Sequence, residues 1–290
     1  MKNFAMPQSA ALLLEGGSLR GLYTAGALDT LMEEDLYFPA VAGVSAGALN
    51  GVNYVAHELG RSASINLRYR KDPRYFGPMA AFNGGSLFGL NFMLRDIPQM
   101  VPFDSETFYH GGQRMVAVAT CLQTGKAAYF EKGKTDFDFL DAVRASASLP
   151  LVSVPVHIGK FSYLDGGCSC PIPLEWAQTE GFAKIVIITT RHKGFRKTMP
   201  GQRMINLYDD FYGDKTLFLA TLLTQEVRYN ALMDQIDALE EAGKIFVLRP
   251  AQPIEIGRFE KNTERLLDLY NRGRREMRDQ LDALQTYLEA

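Results

Sequence analysis

Apolar positions along this chain fall into two periods, one of strands and one of helices. Residues 10–14 are an unbroken apolar run that stops at Gly16-Gly17. Such a run suits a strand buried on both faces that feeds a turn. From 22 to 34 the residues Leu22, Ala25, Leu28, Leu31 and Met32 recur at helical spacing. Residues 38–42 form a second short strand ending at Gly43, and 46–59 read as a helix rich in small residues. Strand, turn and helix, taken twice, predict an α/β architecture with parallel strands and crossover helices.

The middle is less regular. Residues 72–112 carry many Gly, Pro and aromatic residues, with one apolar piece at 87–94. Strands are expected at 115–121 and 127–130, joined by the turn Gln123-Thr124-Gly125-Lys126. A helix at 137–146 ends near Pro150, and a strand at 161–164 runs into Asp165-Gly166-Gly167. The run KIVIITT at 184–190 has the character of a buried strand. Residues 215–242 look helical with room for one break, 245–248 form a late strand, and 263–288 a long closing helix. That helix gathers Leu266, Leu269, Tyr270, Met277, Leu281, Leu284 and Leu288 on one side and mixed charges on the other. It is expected to dock on the domain or on a second copy. With no repeat, low-complexity tract or linker in view, 1–290 reads as one domain. Its motif-bearing core covers about 10–190, with a helical extension over about 215–290.

Charge narrows the classes. Thirty-one Lys and Arg against 33 Asp and Glu give a net charge of -2, without the basic surplus of a nucleic-acid binder. The three cysteines, Cys121, Cys168 and Cys170, are too few and odd in number for a disulfide scaffold, which fits a reducing compartment. Cys168 and Cys170 read as packing residues, and no metal site or cofactor is expected. The apolar run near the start is too short for a signal peptide, and no window suits a transmembrane helix. The expectation is a cytoplasmic protein.

The candidate chemistry begins at Gly43-Val44-Ser45-Ala46-Gly47. Gly-x-Ser-x-Gly between a strand and a helix is a nucleophile elbow. Glycines flanking the serine allow the backbone to pass close to itself, and the Ala46 amide can donate to a developing oxyanion. A second loop, Gly16-Gly17-Ser18-Leu19-Arg20-Gly21, also lies between strand and helix. It lacks both the Gly-Lys-Ser/Thr end of a P-loop and the spacing of a dinucleotide fingerprint. An oxyanion-binding loop or a plain turn remains.

Ser45 needs a proton acceptor. Of His57, His110, His157 and His192, the last follows a strand, so Ser45, Asp165 and His192 would satisfy the chain order of an α/β-hydrolase triad. Yet the elbow comes on only the second strand, early for that fold. The other option is a dyad, in which Asp165, at a strand end and followed by two glycines, reaches Ser45 directly.

Together GGSLRG at 16–21, GVSAG at 43–47, ASASLP at 145–150 and DGG at 165–167 resemble, in order and spacing, the patatin-like phospholipases. The resemblance covers roughly residues 10–190. It implies a three-layer α/β/α fold with a mostly parallel central sheet. It also implies hydrolysis of fatty acyl esters without metal or cofactor, by a dyad of Ser45 as nucleophile and Asp165 as base. The backbone amides of the 16–21 loop would hold the oxyanion, with Arg20 matching the family's loop arginine. Ser18 departs from the family's third glycine; it keeps its N–H but restricts the loop's geometry. A non-catalytic lipid- or partner-binding protein on the same scaffold is the alternative.

A lipid or fatty acyl ester substrate needs an apolar channel. Residues 76–82 and 87–94, following the basic Arg68, Arg70, Lys71 and Arg74, could form a flap making transient contact with a membrane surface. Sequence leaves the oligomeric state open.

Overall fold

The computed structural model describes residues 6–134 and 137–290. Residues 1–5, part of the stretch weighed above as a leader segment, lie outside the described residues. The chain opens with β1 (Ala10–Leu14), α1 (Gly21–Glu33), β2 (Ala40–Val44) and α2 (Ala46–Val55). Four short helices follow: α3 (Arg61–Arg68), α4 (Pro78–Gly84), α5 (Ile97–Met100) and α6 (Ser105–His110). Next come β3 (Arg114–Cys121), β4 (Ala127–Glu131), α7 (Phe139–Ser146), β5 (Val156–Ile158), β6 (Phe161–Asp165), α8 (Leu174–Thr179) and β7 (Lys184–Ile188). The chain closes with α9 (Gln202–Tyr212), α10 (Thr216–Leu223), α11 (Gln225–Glu241), β8 (Phe246–Leu248), α12 (Thr263–Asp279) and α13 (Leu281–Glu289).

One sheet holds all eight strands in the order β5-β6-β3-β2-β1-β7-β8, with β4 also on β3. The run from β3 through β2, β1 and β7 to β8 is parallel; β4, β5 and β6 pair antiparallel. Side chains alternate across β1. Ala10, Leu12 and Leu14 join a core with α1, α2, α7 and α12, whereas Ala11 and Leu13 join another with α8 and α11. Helices on both faces of a mostly parallel sheet make a three-layer α/β/α sandwich, as expected.

One feature of the sheet decides where the chemistry falls. β3 outruns β2, so that residues 114–118 pair with β2 and residues 119–121 pair with the end of β6. Residues 116–120 also pair with β4, which therefore holds the opposite edge. β6 thus runs towards β2 along one edge of β3, and the two strands meet end to end. Val44 sits opposite Val118 and Asp165 opposite Ala119.

Several boundaries differ from expectation. The second strand is Ala40–Val44 rather than 38–42, so it runs directly into Ser45. The strand at 184 stops at Ile188 because the Thr190 N–H turns aside to the Glu15 carboxylate at 2.6 Å. The helical run from 215 breaks at Thr224. The closing helix breaks at Gln280, which swings α13 inward so that the Tyr287 hydroxyl accepts from the Ile185 N–H. The apolar side of α12 docks on α1 with the two backbones in contact. A Cβ on Gly26 would lie 2.0 Å from the Tyr270 carbonyl oxygen, and one on Gly273 2.0 Å from that of Tyr23. Tyr270 donates to Asp29 at 2.6 Å and Tyr23 to Glu276 at 2.9 Å across that contact. Among the described residues no helix is long and apolar enough to cross a membrane.

Candidate active site

The residues singled out in the sequence meet where β2 and β6 abut. Ser45 is nearly buried and has φ 55 and ψ -121, a left-handed conformation rare for a residue with a Cβ. The flanking glycines make that turn possible. A Cβ on Gly43 would lie 2.6 Å from the Ala48 nitrogen, and one on Gly47 2.3 Å from the Leu14 carbonyl oxygen. The Ser45 N–H donates to the Ser146 hydroxyl at 2.9 Å, and the Ser45 carbonyl accepts from Ala48 and Leu49 in the first turn of α2.

Asp165 ends β6 and is 3% exposed. Its Oδ1 accepts from the Gly167 N–H at 2.8 Å, while its Oδ2 is buried with no hydrogen-bond partner at bonding distance. Burial pushes its carboxyl up to about 6; the nearby Ser45 hydroxyl, the largest opposing influence, and the bonded Gly167 N–H hold it lower. The backbone of Asp165 is fixed from two sides. Its N–H donates to the Ser148 carbonyl at 2.7 Å, and its carbonyl accepts from the Thr120 hydroxyl at 2.8 Å. The segment 145–150 therefore serves both halves, with Ser146 holding the elbow and Ser148 the aspartate. Sequence reasoning singled out that segment as a motif but missed these roles.

The glycine loop lies beside the elbow. A Cβ on Gly16 would come within 3.0 Å of the Ser45 Cβ, and one on Gly21 within 2.8 Å of the Ala46 Cβ. Ser18 adopts φ 49, so the serine takes up the left-handed angle that a glycine would more readily supply. Residues 18–20 form a one-turn 3-10 helix that leads into α1. Ser18, Leu19, Ser45 and Ala46 border one cavity. Its walls carry Leu22, Leu49, Val52, Ile65, Met93 and Phe103. Part of the expected flap is thus wall rather than flap. Phe88, Leu90, Met93 and Leu94 line the cavity, and Tyr75, Phe92 and Ile97 are buried beside it. Phe82, 92% exposed, and Met79 protrude from α4.

The histidines lie elsewhere. His192 packs edge-on against Phe195 with ring centroids 5.9 Å apart. His57 bonds Gln113, His157 bonds Ser162, and His110 faces Glu106. None of the four borders the cavity, whereas the Asp165 carboxyl lies close enough to feel the Ser45 hydroxyl.

Glu15 was not foreseen as part of this region. It follows the buried β1 and is 4% exposed. Its Oε2 accepts from Thr190 and its Oε1 from the Tyr229 hydroxyl at 2.9 Å, which ties the loop after β1 to β7 and α11. A carboxylate directly after an unbroken apolar run was the available signal. Cys168 packs with Leu164, Tyr212 and Phe218, and burial pushes its thiol far up. Among the described residues no group of three or more His, Cys, Asp and Glu could hold a metal ion.

Comparison with known proteins covers two segments. A model described as patatin-like phospholipase matches residues 12–177, and one for a domain of unknown function (DUF6363) matches residues 216–289. The uncharacterised protein YjjU of Escherichia coli K12 is 28% identical over 261 residues, 86% of this chain and 70% of that protein. The probable lipid hydrolase 463L of Invertebrate iridescent virus 6 is 27% identical over 183 residues, 57% of this chain and 62% of its own length. The uncharacterised NTE family protein Rv1063c of Mycobacterium tuberculosis is 30% identical over 168 residues, 57% and 44% of the two lengths. Among solved structures, VipD from Legionella pneumophila superposes over 96% of this chain and 67% of its own, with TM-score 0.49 and 13% identity. The type III effector ExoU gives TM-score 0.41 at 12% identity, over 98% of this chain and 53% of its own. The matched segment spans more than half of the chain and contains the glycine loop, Ser45 and Asp165, and the chain belongs to the patatin-like phospholipase family.

Proposed function

We propose that this protein is a serine acyl hydrolase acting on fatty acyl esters of lipids, with Ser45 as nucleophile and Asp165 as its base. The observation that carries the reading is the open Oδ2 of Asp165. It is a buried acceptor with no bonding partner, next to a hydroxyl at the edge of an apolar cavity. The family match supports lipid as the substrate class.

The steps follow from the arrangement. The acyl chain lies in the cavity, and its ester carbonyl sits between Ser45 and the 16–21 loop. Ser45 Oγ attacks the carbonyl carbon as its proton passes to Asp165 Oδ2. The amides of the loop, together with that of Ala46 at the positive end of α2, receive the oxyanion. Collapse expels the alcohol, which takes the proton from Asp165 and leaves the acyl group on Ser45. Water then repeats the cycle in reverse roles and frees the fatty acid. An aspartate with an ordinary pKa is a weak base; raising it towards neutrality improves the match to the serine while leaving it ionised at pH 7.

The test is a hydrolysis screen over phospholipids, lysophospholipids and simple esters with Ser45→Ala as the blank, paired with labelling by an active-site serine probe. The expected result is labelling at Ser45 and loss of turnover in Ser45→Ala with the fold intact. Turnover that survives Ser45→Ala would move the nucleophile away from Ser45, and a folded protein without turnover in which Ser45 takes no label would leave a binding protein on this scaffold.

A further inference from the structure

The surroundings of Asp165 and of the glycine loop are charged. Four basic side chains converge there from three segments. Arg20 ends the loop turn before α1, Arg191 and Lys197 lie in the loop after β7, and Arg258 lies between β8 and α12. Contacts fix their placement. Gly17 packs on Thr190, where a Cβ would come within 2.6 Å of the threonine hydroxyl, so the glycine loop abuts the Arg191 segment. The Thr189 hydroxyl donates to the Arg191 carbonyl at 2.8 Å, and the Arg191 guanidinium stacks 4.1 Å over the Phe195 ring. Lys197 exchanges backbone bonds of 2.8 and 2.9 Å with the Asn230 side chain, and its ammonium lies 4.4 Å over the Tyr229 ring. The Tyr229 hydroxyl bonds Glu15 at the root of the glycine loop.

These cations are uncommitted. Two half-buried arginines nearby in sequence have carboxylate partners, as Arg196 binds Asp234 and Asp237 and Arg249 binds Asp237 and Glu240, while Arg228 is spent on the Cys168 and Thr221 carbonyls. Among the described residues, none of the four reaches a carboxylate within 4 Å or donates a side-chain hydrogen bond, and the buried Nε of Arg20 has no partner. Of the nearby carboxylates, Glu15 is already occupied at both oxygens, and Glu226, whose charge favours the Lys197 ammonium, forms no ion pair with any of the four. Two of them act directly against a third. Burial first, then the charges of Arg191 and Arg258, lower the Arg20 guanidinium to about 10, and burial lowers Lys197. A desolvated Arg20 and Lys197 in the company of two further cations leave a site that an anion would relieve.

We propose that Arg20, Arg191, Lys197 and Arg258 form a phosphate cradle that holds the head-group phosphodiester of a phospholipid while its acyl chain occupies the apolar cavity. Guanidinium forks and an ammonium match phosphate oxygens in geometry and charge. The half-buried Arg20, Arg191 and Lys197 form the floor, and the exposed Arg258 the rim. Arg191, Lys197 and Arg258 all lie beyond residues 12–177. The cradle is therefore added to the family segment by the carboxy-terminal part of the chain. It makes the enzyme choose glycerophospholipids or lysophospholipids over neutral glycerides, and it rests on the acyl-hydrolase reading for the meaning of that choice.

Two measurements test it. Calorimetric titration with inorganic phosphate reads the cradle without any turnover. Binding should weaken about tenfold in Arg258→Ala and more in Lys197→Ala or Arg258→Glu. The second is the ratio of kcat/KM for monomeric dihexanoylphosphatidylglycerol over uncharged dihexanoylglycerol, taken at pH 8. The ratio should exceed one in the wild type and fall about tenfold in each alanine variant, through KM. Arg258 is exposed, so its variants fold even if Lys197→Ala does not. A role confined to tuning Asp165 would alter both substrates equally, and an unchanged ratio overturns the proposal. Phosphate binding with a wild-type ratio of one assigns the site to a free phosphate and overturns the head-group assignment. If Ser45→Ala shows the protein is no hydrolase, the titration still reports on the cradle, so the two readings fail separately.

Discussion

Ser45 and Asp165 reach the same point by opposite means. The serine sits on a strained backbone, at φ 55, in a turn whose flanking glycines touch the backbone of α2 and β1. The aspartate has an unstrained backbone, with φ -47 and ψ 129, and its cost is electrostatic: a buried carboxylate oxygen without a partner. The elbow is local, made by five consecutive residues. The aspartate's position is non-local, set by β6 meeting β2 along a shared neighbour and by Ser148 and Thr120. The nucleophile's strain is borne by packing that no other residue types allow. The base's desolvation is tolerated because it raises the affinity for a proton.

The largest effect should come from breaking the pair itself. In Asp165→Asn, ester turnover at pH 8 is expected to fall about 10³-fold, since the proton acceptor is lost while the elbow and cavity remain. His192→Ala should leave turnover within about twofold, because its ring packs on Phe195 away from the cavity. Steady-state kinetics on one soluble ester compares the two. A His192→Ala enzyme as impaired as Asp165→Asn would restore the triad.

The elbow should break structurally. Gly47→Ala places a methyl 2.3 Å from the Leu14 carbonyl oxygen, backbone against backbone with no side chain free to yield. A loss of about 3 kcal/mol or more is expected, read as a lowered midpoint in denaturant unfolding. No comparable loss should follow Gly167→Ala, whose Cβ meets only the Asp165 carboxylate at 3.0 Å. Equal destabilisation would dissolve the contrast between a packed elbow and an open aspartate turn. Ser146→Ala joins the two halves. It strands the buried Ser45 N–H, at a cost of about 1–3 kcal/mol, and should lower kcat about tenfold by loosening the elbow, with KM little changed.

The same contrast explains how much was legible in the sequence. Glycine loop, elbow, ASASLP segment and Asp-Gly-Gly are contiguous strings, and most strands are apolar runs, so the layers and the site residues could be read directly. The end-to-end meeting of β2 and β6 could not, because register across β3 depends on pairings of residues far apart in the chain, such as Ala119 with Asp165. The short helices α3 and α9 were missed because they are largely polar outside and carry few core positions. The break at Gln280 has no Gly or Pro to mark it; it is imposed by the docking of Tyr287 on β7 and of α12 on α1. Most of the cavity's lining went unseen for a related reason, as its walls come from many separated segments between Ser18 and Leu149.

The smallest effect is the most diagnostic of the electrostatic half. In the folded protein burial raises the Asp165 carboxyl from 3.8 to about 6. A raised folded pKa means the fold binds the proton more tightly than the unfolded chain. Its penalty is absent below about pH 4, grows between about 4 and 6, and is complete above. The shift corresponds to at most about 3 kcal/mol of instability at neutral pH. Asp165→Asn removes the charge but leaves an amide to be hydrogen-bonded in the same buried place, which returns part of the gain. The variant is expected to be more stable than the wild type by about 1 kcal/mol at pH 8, with the difference vanishing near pH 4. Unfolding midpoints across that range measure it. In parallel, wild-type turnover should fall tenfold per pH unit below about 6, as the base is protonated. A variant less stable than the wild type at pH 8 would show that Asp165 is held there by favourable contacts and not against its own desolvation. The asymmetry between a strained serine and a desolvated aspartate would then be lost.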